Sequence, residues 1–266
     1  MSWIIITALI ISGLFVGFIN TLAGGGTIIS LSLFMFLGLP PAVANGTNRV
    51  AVVFQTLTSS FGFRKQKALD LHKATILGIP TVIGSIIGTW IAIDINARAF
   101  EIILAISMII MLFFVIYKPA RWLKGKENLI NQKPTFMLLF VFFLIGIYGG
   151  LIYVGVGYYL IAAAVLGAGF DLIRANAVKV WVVLLYVPFT LLIFMWHGQV
   201  NYKYGLIHAI GNIAGAWLAT KYAIHWGVNF IRWLLVVFVI VTVIQTFGFY
   251  DFKASVFQMM KSISDV

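Results

Sequence analysis

Long hydrophobic stretches dominate the chain and are interrupted at two glycine-rich points. In the first half, an apolar run stops at the break Ala23 to Gly26, and a shorter apolar piece, Thr27 to Leu37, follows. In the second half, the run from Pro134 to Gly149 stops at a similar break, residues 150–157, before another short piece. A helix needs about 20 apolar residues to cross a bilayer, so the pieces after the breaks are too short. The pattern therefore predicts helices that are broken or re-entrant within a membrane.

The other apolar segments are long enough to span a bilayer. They are continuous and lack the period-two alternation of membrane strands, so they favour a helical bundle over a β-barrel. The sequence thus predicts an all-α, polytopic integral membrane protein. The predicted full-length helices lie near Trp3–Leu22, Ala42–Gly62, Ala74–Ile93, Ala97–Tyr117, Leu172–Met195, Tyr204–Ile224 and Asn229–Gly248.

A polar passage that ends in a cation occurs once in each half. Residues 38–49 end at Arg49, and residues 167–179 end at Lys179. The repetition predicts two structural repeats, a common plan among transporters. The predicted divisions are a first membrane repeat (1–117), a basic cytoplasmic connecting loop (118–133), a second membrane repeat (134–248) and a C-terminal tail (249–266).

Charge in the short connections indicates how the two repeats are related. Residues 64–73 carry four lysines and arginines, and residues 118–133 carry five more, so both connections are expected to face the cytoplasm. The segment from Met195 to Lys203 corresponds to residues 64–73 but holds only one such side chain. We therefore expect the repeats to be inverted relative to each other.

Composition excludes several classes of protein. With 62% hydrophobic and 9% charged residues, the chain belongs in a membrane, and we expect a multi-pass protein of the cell inner membrane or plasma membrane. The net charge of +11 is attributed to topology and not to nucleic acid binding, because no soluble domain is present. The sequence has no cysteine, no histidine pattern typical of metal ligands and no acid placed deep in a span. We expect no enzyme activity, no metal and no cofactor.

Two basic side chains are predicted to lie deep in the membrane. Arg49 precedes Arg64 by fifteen residues, about 22 Å along a helix, and Lys179 occupies the matching place in the second repeat. A charge at that depth is costly unless it faces a polar cavity, and a bound anion would compensate both cations. Alternatively, these side chains extend to the interface or bond to carbonyls freed by the helix breaks.

The glycine breaks supply further candidate ligands for an anion. A helix that begins inside the membrane directs free N–H groups and a positive dipole end at its surroundings. Neutral polar residues near the cations add hydrogen-bonding capacity. Beside Arg49 and Lys179, the predicted substrate-binding residues are Gly24, Gly25, Gly26, Thr27, Asn45, Thr47, Asn48, Gly149, Gly150, Tyr153 and Asn176.

The motifs together resemble the sulfite exporter TauE/SafE family, also described as the toluene sulfonate uptake permease family. The resemblance is carried by residues 17–26, residues 37–48, the basic passage 63–70 and the glycine-spaced helix 78–88, and it covers nearly the whole chain. It implies transport of small sulfur-containing anions by a compact protein with inverted repeats. Family members associated with thiosulfate or persulfide rely on cysteines, so this chain is expected to favour sulfite or an organosulfonate such as sulfoacetate.

The interpretation at this point is a secondary transporter with alternating access, whose partners are a small anion and the lipid bilayer. A passive anion channel and a non-transporting membrane scaffold remain alternatives, and an intramembrane enzyme ranks last. Coupling to protons or to the membrane potential is expected because no buried carboxylate suggests a sodium site. His208 is a candidate for proton handling. Assembly into a homo-oligomer is left open.

Overall fold

The computed structural model describes residues 1–96, 98–100, 102, 103, 106, 127–130 and 132–222 of the 266-residue chain. These described residues are mostly helical and include no β-strand, so the predicted all-α class is confirmed. The helices are α1 (Trp3–Leu22), α2 (Thr27–Phe36), α3 (Pro41–Lys65), α4 (Leu71–Ile93), α5 (Glu127–Ile130), α6 (Phe136–Leu151), α7 (Val156–Ala168), α8 (Leu172–Trp196) and α9 (residues 202–222).

The helix bounds follow the hydrophobic pattern closely. The first helix has the predicted bounds, and both predicted breaks are present, at residues 23–26 and 152–155. We call these the first break and the second break. Most of the predicted span 97–117, most of the connecting loop 118–133, and the whole of the predicted span 229–248 and the tail 249–266 lie outside the described residues.

Local side-chain chemistry determines where several helices begin. Five helices are preceded by a residue whose side chain accepts a hydrogen bond from a backbone N–H of the first turn. By contrast, α2 and α7, which follow the two breaks, begin without a side-chain cap. In the first turns, Ile29 of α2 and Val156 and Tyr158 of α7 donate to nearby backbone carbonyls, and the other first-turn N–H groups remain available to other partners. The capping residues are Ser2 for α1, Asp70 for α4, Thr135 for α6, Asp171 for α8 and Asn201 for α9.

Three described helices, α1, α4 and α8, are long and apolar enough to cross a membrane. Helix α3 is also 25 residues long but is more polar, and its polar side chains face inward. On its outer face, Phe54, Leu57 and Phe61 are exposed. Polar groups inside and apolar groups outside are expected of a helix that contacts lipid on one side and a polar interior on the other. The buried polar residues of α3 are Asn45, Thr47, Asn48, Arg49, Gln55, Thr56, Ser59 and Ser60.

Glycines bring two pairs of helices into backbone contact. A methyl group at Gly17 of α1 would lie 2.2 Å from the carbonyl oxygen of Asn212 on α9. Likewise, a methyl group at Gly84 of α4 would lie 2.1 Å from the carbonyl oxygen of Phe143 on α6. Such close approach is typical of small-residue packing in membranes, where van der Waals contact holds helices together. These pairs frame the two broken helices.

The halves of the chain interlock around α3 and α8. These two helices run antiparallel, since Gly46 lies against Phe194 while Gln55 shares a cavity with Val183. Each also packs on a helix of the other half: α3 runs beside α9 and α8 runs beside α4. The contacts of α8 with α4 include a hydrogen bond from the Trp181 indole to the Thr75 hydroxyl at 3.0 Å. The broken helices meet between α3 and α8.

Candidate functional site

The two breaks touch each other through glycine backbones. Gly24 has φ = +101°, a conformation that glycine adopts without the steric cost of a Cβ. A Cβ on Gly24 would lie 2.6 Å from the Cα of Gly157, and a Cβ on Gly157 would lie 2.6 Å from the Cα of Gly24. Only glycine allows this approach. The breaks therefore meet at one point in the interior of the protein.

This contact leads to a first prediction about stability. Gly24→Ala is expected to destabilise the protein by about 1–3 kcal/mol more than Gly38→Ala, because the new methyl group overpacks against Gly157. Gly38 is a matched control, since its φ is +91° and a Cβ there would meet nothing within 4 Å. Thermal unfolding in detergent measures the difference. Equal losses in the two variants would contradict a close contact between the breaks.

The first break is surrounded by amides and hydroxyls. The Asn20 side-chain amide donates to the Thr27 hydroxyl at 3.0 Å and lies 3.5 Å from the Gln55 side-chain oxygen. On the other side of the break, the Tyr158 side chain of α7 lies against the backbone of Gly25. A Cβ added to Gly25 would be 2.0 Å from the Tyr158 hydroxyl. That hydroxyl is buried and has no hydrogen-bond partner among the described residues. An unused donor therefore faces the start of α2.

The second break is lined by aromatic rings. Tyr153 has φ = +69°, which a residue with a Cβ adopts at a steric cost, and Gly155 follows with φ = +73°. The Tyr153 ring lies under the Arg49 guanidinium, with 5.0 Å from the guanidinium carbon to the ring centroid. The Tyr186 hydroxyl lies close to Gly149 and has no partner among the described residues. The second break is therefore more apolar than the first.

Arg49 is completely buried and binds helix α6 of the other half. Its Nη2 donates to the Gly150 carbonyl at 2.9 Å and to the Asn45 side-chain oxygen at 3.4 Å, and its Nη1 donates to the Thr190 hydroxyl at 3.1 Å. The Nε–H group has no acceptor among the described residues. Since a guanidinium has five N–H groups, Arg49 retains donor capacity toward a ligand.

Lys179 makes the corresponding contact with the end of α1. Its ammonium group donates to the carbonyls of Asn20 and Thr21 at 2.7 and 2.9 Å and to the Asn176 side-chain oxygen at 2.8 Å. These three bonds use all three ammonium donors. The side chain is 2% exposed, so it does not extend to the membrane interface.

Each cation thus caps the end of a broken helix from the opposite half. The last carbonyls of a helix lack intrahelical donors and carry the negative end of its dipole, which a cation stabilises. Of the alternatives considered from the sequence, extension of Arg49 and Lys179 to the interface is wrong. Bonding to carbonyls freed by the breaks is what the two side chains do.

A small cavity lies where the two breaks meet. Its volume is about 10 Å³, close to the space that one water molecule requires. One side is polar and the other side is formed by valines and the Tyr153 ring. All of its lining residues are buried, and a guest larger than a water molecule requires the breaks to separate. The lining residues are Asn20, Gly24, Gln55, Thr56, Tyr153, Val156, Gly157, Lys179, Val180 and Val183.

The structure brings most of the predicted site residues to this region. Asn45 and Asn176 each contact a cation, as described above, while Gly24 and Tyr153 line the cavity. The remaining predicted glycines and one threonine belong to the breaks or to the helix ends beside them: Gly25, Gly26, Thr27, Gly149 and Gly150.

Two predicted residues lie elsewhere. The Thr47 hydroxyl accepts a hydrogen bond from the backbone N–H of Asn201 at 2.9 Å and so anchors the connection before α9. Asn48 is buried, does not line the cavity, and has no side-chain partner among the described residues. Both are one or two positions from Arg49 in sequence, but successive helical residues point in different directions.

Sequence reasoning missed Tyr158 and Thr190. Tyr158 is the third residue of α7 and was hidden within an apolar stretch. Thr190 follows Lys179 by eleven residues, about three helical turns, so helical periodicity places it on the same face of α8. That periodicity was a usable signal for Thr190.

Comparison with known proteins gives a consistent result. The sulfite exporter TauE/SafE family matches residues 9–246. A "probable membrane transporter protein" of Haemophilus influenzae is 29% identical over 233 residues, which cover 85% of this chain and 88% of that protein. The probable membrane transporter protein YunE of Bacillus subtilis is 26% identical over 83% of this chain and 87% of its own length.

A third relative agrees with these two. The probable membrane transporter protein YfcA of Escherichia coli K12 is 24% identical over 89% of this chain and 87% of its own length. No solved structure matches the chain. Because the family match spans most of the sequence, the chain belongs to the sulfite exporter TauE/SafE family, and it is a membrane transporter.

Proposed function

We propose that this protein is a multi-pass secondary transporter of the cell inner membrane or plasma membrane. Its substrate is a small sulfur-containing anion, either sulfite or an organosulfonate such as sulfoacetate. The observation that carries the proposal is the pair of buried cations, Arg49 and Lys179, beside the two helix breaks. Positive charge in a membrane interior creates a demand for negative charge that an anion meets.

Among the three acids whose side chains the structure describes, none meets that demand. Asp70 and Asp94 are exposed, and Asp171 is partly exposed and pairs with Arg174 at 3.4 Å. The partners of Arg49 and Lys179 are neutral carbonyls, amides and a hydroxyl. Helix-end dipoles offset only part of a full charge. An anionic substrate is therefore favoured and a cationic one disfavoured.

Within the site, different groups take different parts in binding. Arg49 donates through its unused N–H groups, whereas Lys179 acts as a fixed positive charge because its donors are committed to the end of α1. The backbone N–H groups of Thr27 and Ile28 at the start of α2 and the Tyr158 hydroxyl supply neutral donors on the opposite side. Charge-assisted hydrogen bonds of this kind are the strong ones for oxyanions.

Alternating access is the proposed mode of movement. The antiparallel course of α3 and α8, with each cation reaching the broken helix of the other half, supports the inverted-repeat prediction. The small cavity with its buried lining supports a carrier in which the breaks separate toward one side at a time. A passive channel would instead need a continuous polar path. Transport is driven by protons or by the membrane potential.

Two observations support the proposed identity of the anion: the description of the family as sulfite exporters, and the composition of the chain. A sequence without cysteine has no thiolate with which to exchange sulfur, which favours sulfite and organosulfonates over thiosulfate. The apolar side of the cavity, with Val156, Val180 and Val183, also suits the short carbon chain of an organosulfonate.

The experiment is counterflow in proteoliposomes. Vesicles preloaded with unlabelled sulfite or sulfoacetate are expected to accumulate the radiolabelled form of the same anion transiently, with saturation at high concentration. Protein-free liposomes provide the background. Labelled flux that never saturates and shows no counterflow would favour the channel. If neither anion moves above background, the proposed substrate class is wrong.

A further inference from the structure

A buried histidine lies outside the cavity but contacts the helix that begins at the first break. His208 of α9 is 0% exposed. One ring nitrogen, Nδ1, lies 2.9 Å from the Leu9 carbonyl of α1, and the other, Nε2, lies 2.8 Å from the Ser30 hydroxyl of α2. Of the other histidines, His72 and His197 are exposed, and His225 is outside the described residues.

These partners determine the tautomer of the ring. A backbone carbonyl only accepts, so Nδ1 carries a hydrogen and donates to Leu9. In the neutral ring, Nε2 is then an acceptor, and the Ser30 hydroxyl donates to it. A second proton on Nε2 would reverse that bond, because the Ser30 oxygen is also able to accept. His208 therefore keeps both hydrogen bonds whether it is neutral or charged.

Protonation of His208 would change the hydrogen bonding of Ser30 and, through it, of the first break. When Nε2 becomes a donor, the hydrogen of the Ser30 hydroxyl must turn to another acceptor. The carbonyl four residues earlier, that of Gly26, is the usual acceptor for a serine within a helix. Gly26 is the N-cap of α2, and Ser30 is only about 6 Å of helical rise beyond it. The ring and the start of α2 are thus linked by one turn of helix.

No other charge surrounds the ring in the described structure. Helices α1 and α2 contain no acidic, basic, tyrosine or histidine residue. On α9 the other titratable side chains lie near its ends, at Tyr202, Lys203, Tyr204, Lys221 and Tyr222. Asp70, Asp94 and Asp171, the acids whose side chains the structure describes, are not buried. A proton on His208 would therefore be an uncompensated charge in the membrane, which is costly unless an anion is bound nearby.

From this geometry we infer that His208 binds the proton that is coupled to anion transport, an inference that rests on the proposed transport function. A bound anion at the breaks lowers the cost of the protonated ring, and the protonated ring in turn favours the anion. Such coupling is reciprocal by thermodynamic necessity. Each loaded cycle would carry a proton together with the anion.

The test compares wild type, His208→Gln and His72→Gln in proteoliposomes with radiolabelled sulfoacetate, whose two acidic groups are ionised near neutral pH. Counterflow at equal pH measures exchange, and uptake under an inward proton gradient measures coupling. We expect the gradient to stimulate wild-type uptake about fivefold or more. The exposed His72→Gln control is expected to match wild type. His208→Gln is expected to keep counterflow within about twofold and to lose the stimulation.

The outcomes separate this inference from the transport proposal. Gradient stimulation that survives in His208→Gln, or a wild type that exchanges sulfoacetate with no stimulation, would overturn the role of His208 and leave transport intact. If His208→Gln does not fold, Ser30→Ala retains the ring and its bond to Leu9, and it is expected to reduce the stimulation while counterflow remains. Unchanged stimulation in Ser30→Ala would also overturn the inference.

A second measurement does not require transport. In wild-type protein with ¹⁵N-labelled histidine, the ring signals absent from His208→Gln are expected to change from the Nδ1–H tautomer to the doubly protonated form as the pH is lowered from about 8 to about 4. Saturating sulfoacetate is expected to move this change toward higher pH. A ring that stays neutral across the range, with and without the anion, would contradict proton binding at His208 even if no anion flux were found.

Discussion

Replacing Arg49 with methionine is expected to reduce anion flux about 100-fold while the protein remains folded. The loss follows from removing a charged donor, since hydrogen bonds to charged groups contribute about 1.5–3 kcal/mol, or roughly 10- to 100-fold in affinity. Folding is expected to survive because the groups that Arg49 contacts have other hydrogen bonds. The Gly150 carbonyl also accepts from Thr89, and the Thr190 hydroxyl donates to Val187.

The matched control for this experiment lies on the same helix. Arg64 is exposed at the end of α3, so Arg64→Met removes one positive charge without touching the breaks. We expect the flux of Arg64→Met to equal that of wild type. Arg49→Lys keeps the charge but loses the planar fork, and an intermediate loss of about tenfold is expected. Wild-type flux in Arg49→Met, with normal amounts of folded protein, would remove Arg49 from the binding site.

Lys179→Met is expected to lower the free energy of unfolding by about 3 kcal/mol in addition to abolishing flux. The ammonium group serves three buried acceptors, among them the carbonyls of Asn20 and Thr21 at the end of α1. Leaving such acceptors unpaired costs about 1–3 kcal/mol each, partly relieved by local adjustment. Methionine fills a similar volume, so the loss reflects the missing donors more than a cavity.

Loss of Arg49 is thus expected to reduce mainly anion flux, whereas loss of Lys179 is expected to reduce both stability and flux. Titration with SDS unfolds the protein in mixed micelles and gives its free energy of unfolding. This value is compared between Lys179→Met and Arg174→Met. Arg174 is a suitable control because it lies on the same helix, is exposed, and pairs only with Asp171 among the described acids. If Lys179→Met were as stable as the control, the bonds to the end of α1 would not hold the broken helix in place.

The sequence was sufficient to predict both breaks and the described helices other than α5, which lies within the predicted connecting loop. Apolar runs, glycines and capping side chains act locally, so the ends of α1 and the break at residues 23–26 could be placed before the fold was known. The depth of Arg49 and Lys179 was also predictable from their distance to the ends of their helices. The inverted relation between the two halves was predicted from charge in the connections. That charge indicates on which side of the membrane a connection lies, but it does not indicate which helices are in contact.

The partners of the buried polar groups could not be predicted in the same way. Helical periodicity places a residue on a face, but it does not identify which distant segment that face contacts. Thr47 illustrates the limit, because it neighbours Arg49 in sequence yet binds the backbone of Asn201. His208 illustrates the opposite case, since a histidine that is isolated in sequence contacts Ser30, 178 residues away.

By itself, then, the sequence determined an all-helical membrane protein with two interrupted helices and two deep cations, because length, hydropathy and backbone preference are properties of short segments. Only the tertiary structure decided that each cation caps a broken helix of the opposite half. The bonds from Arg49 to Gly150 and from Lys179 to Asn20 join residues 101 and 159 positions apart. Such pairings depend on how whole helices pack, and packing is set by complementary shape over the entire bundle.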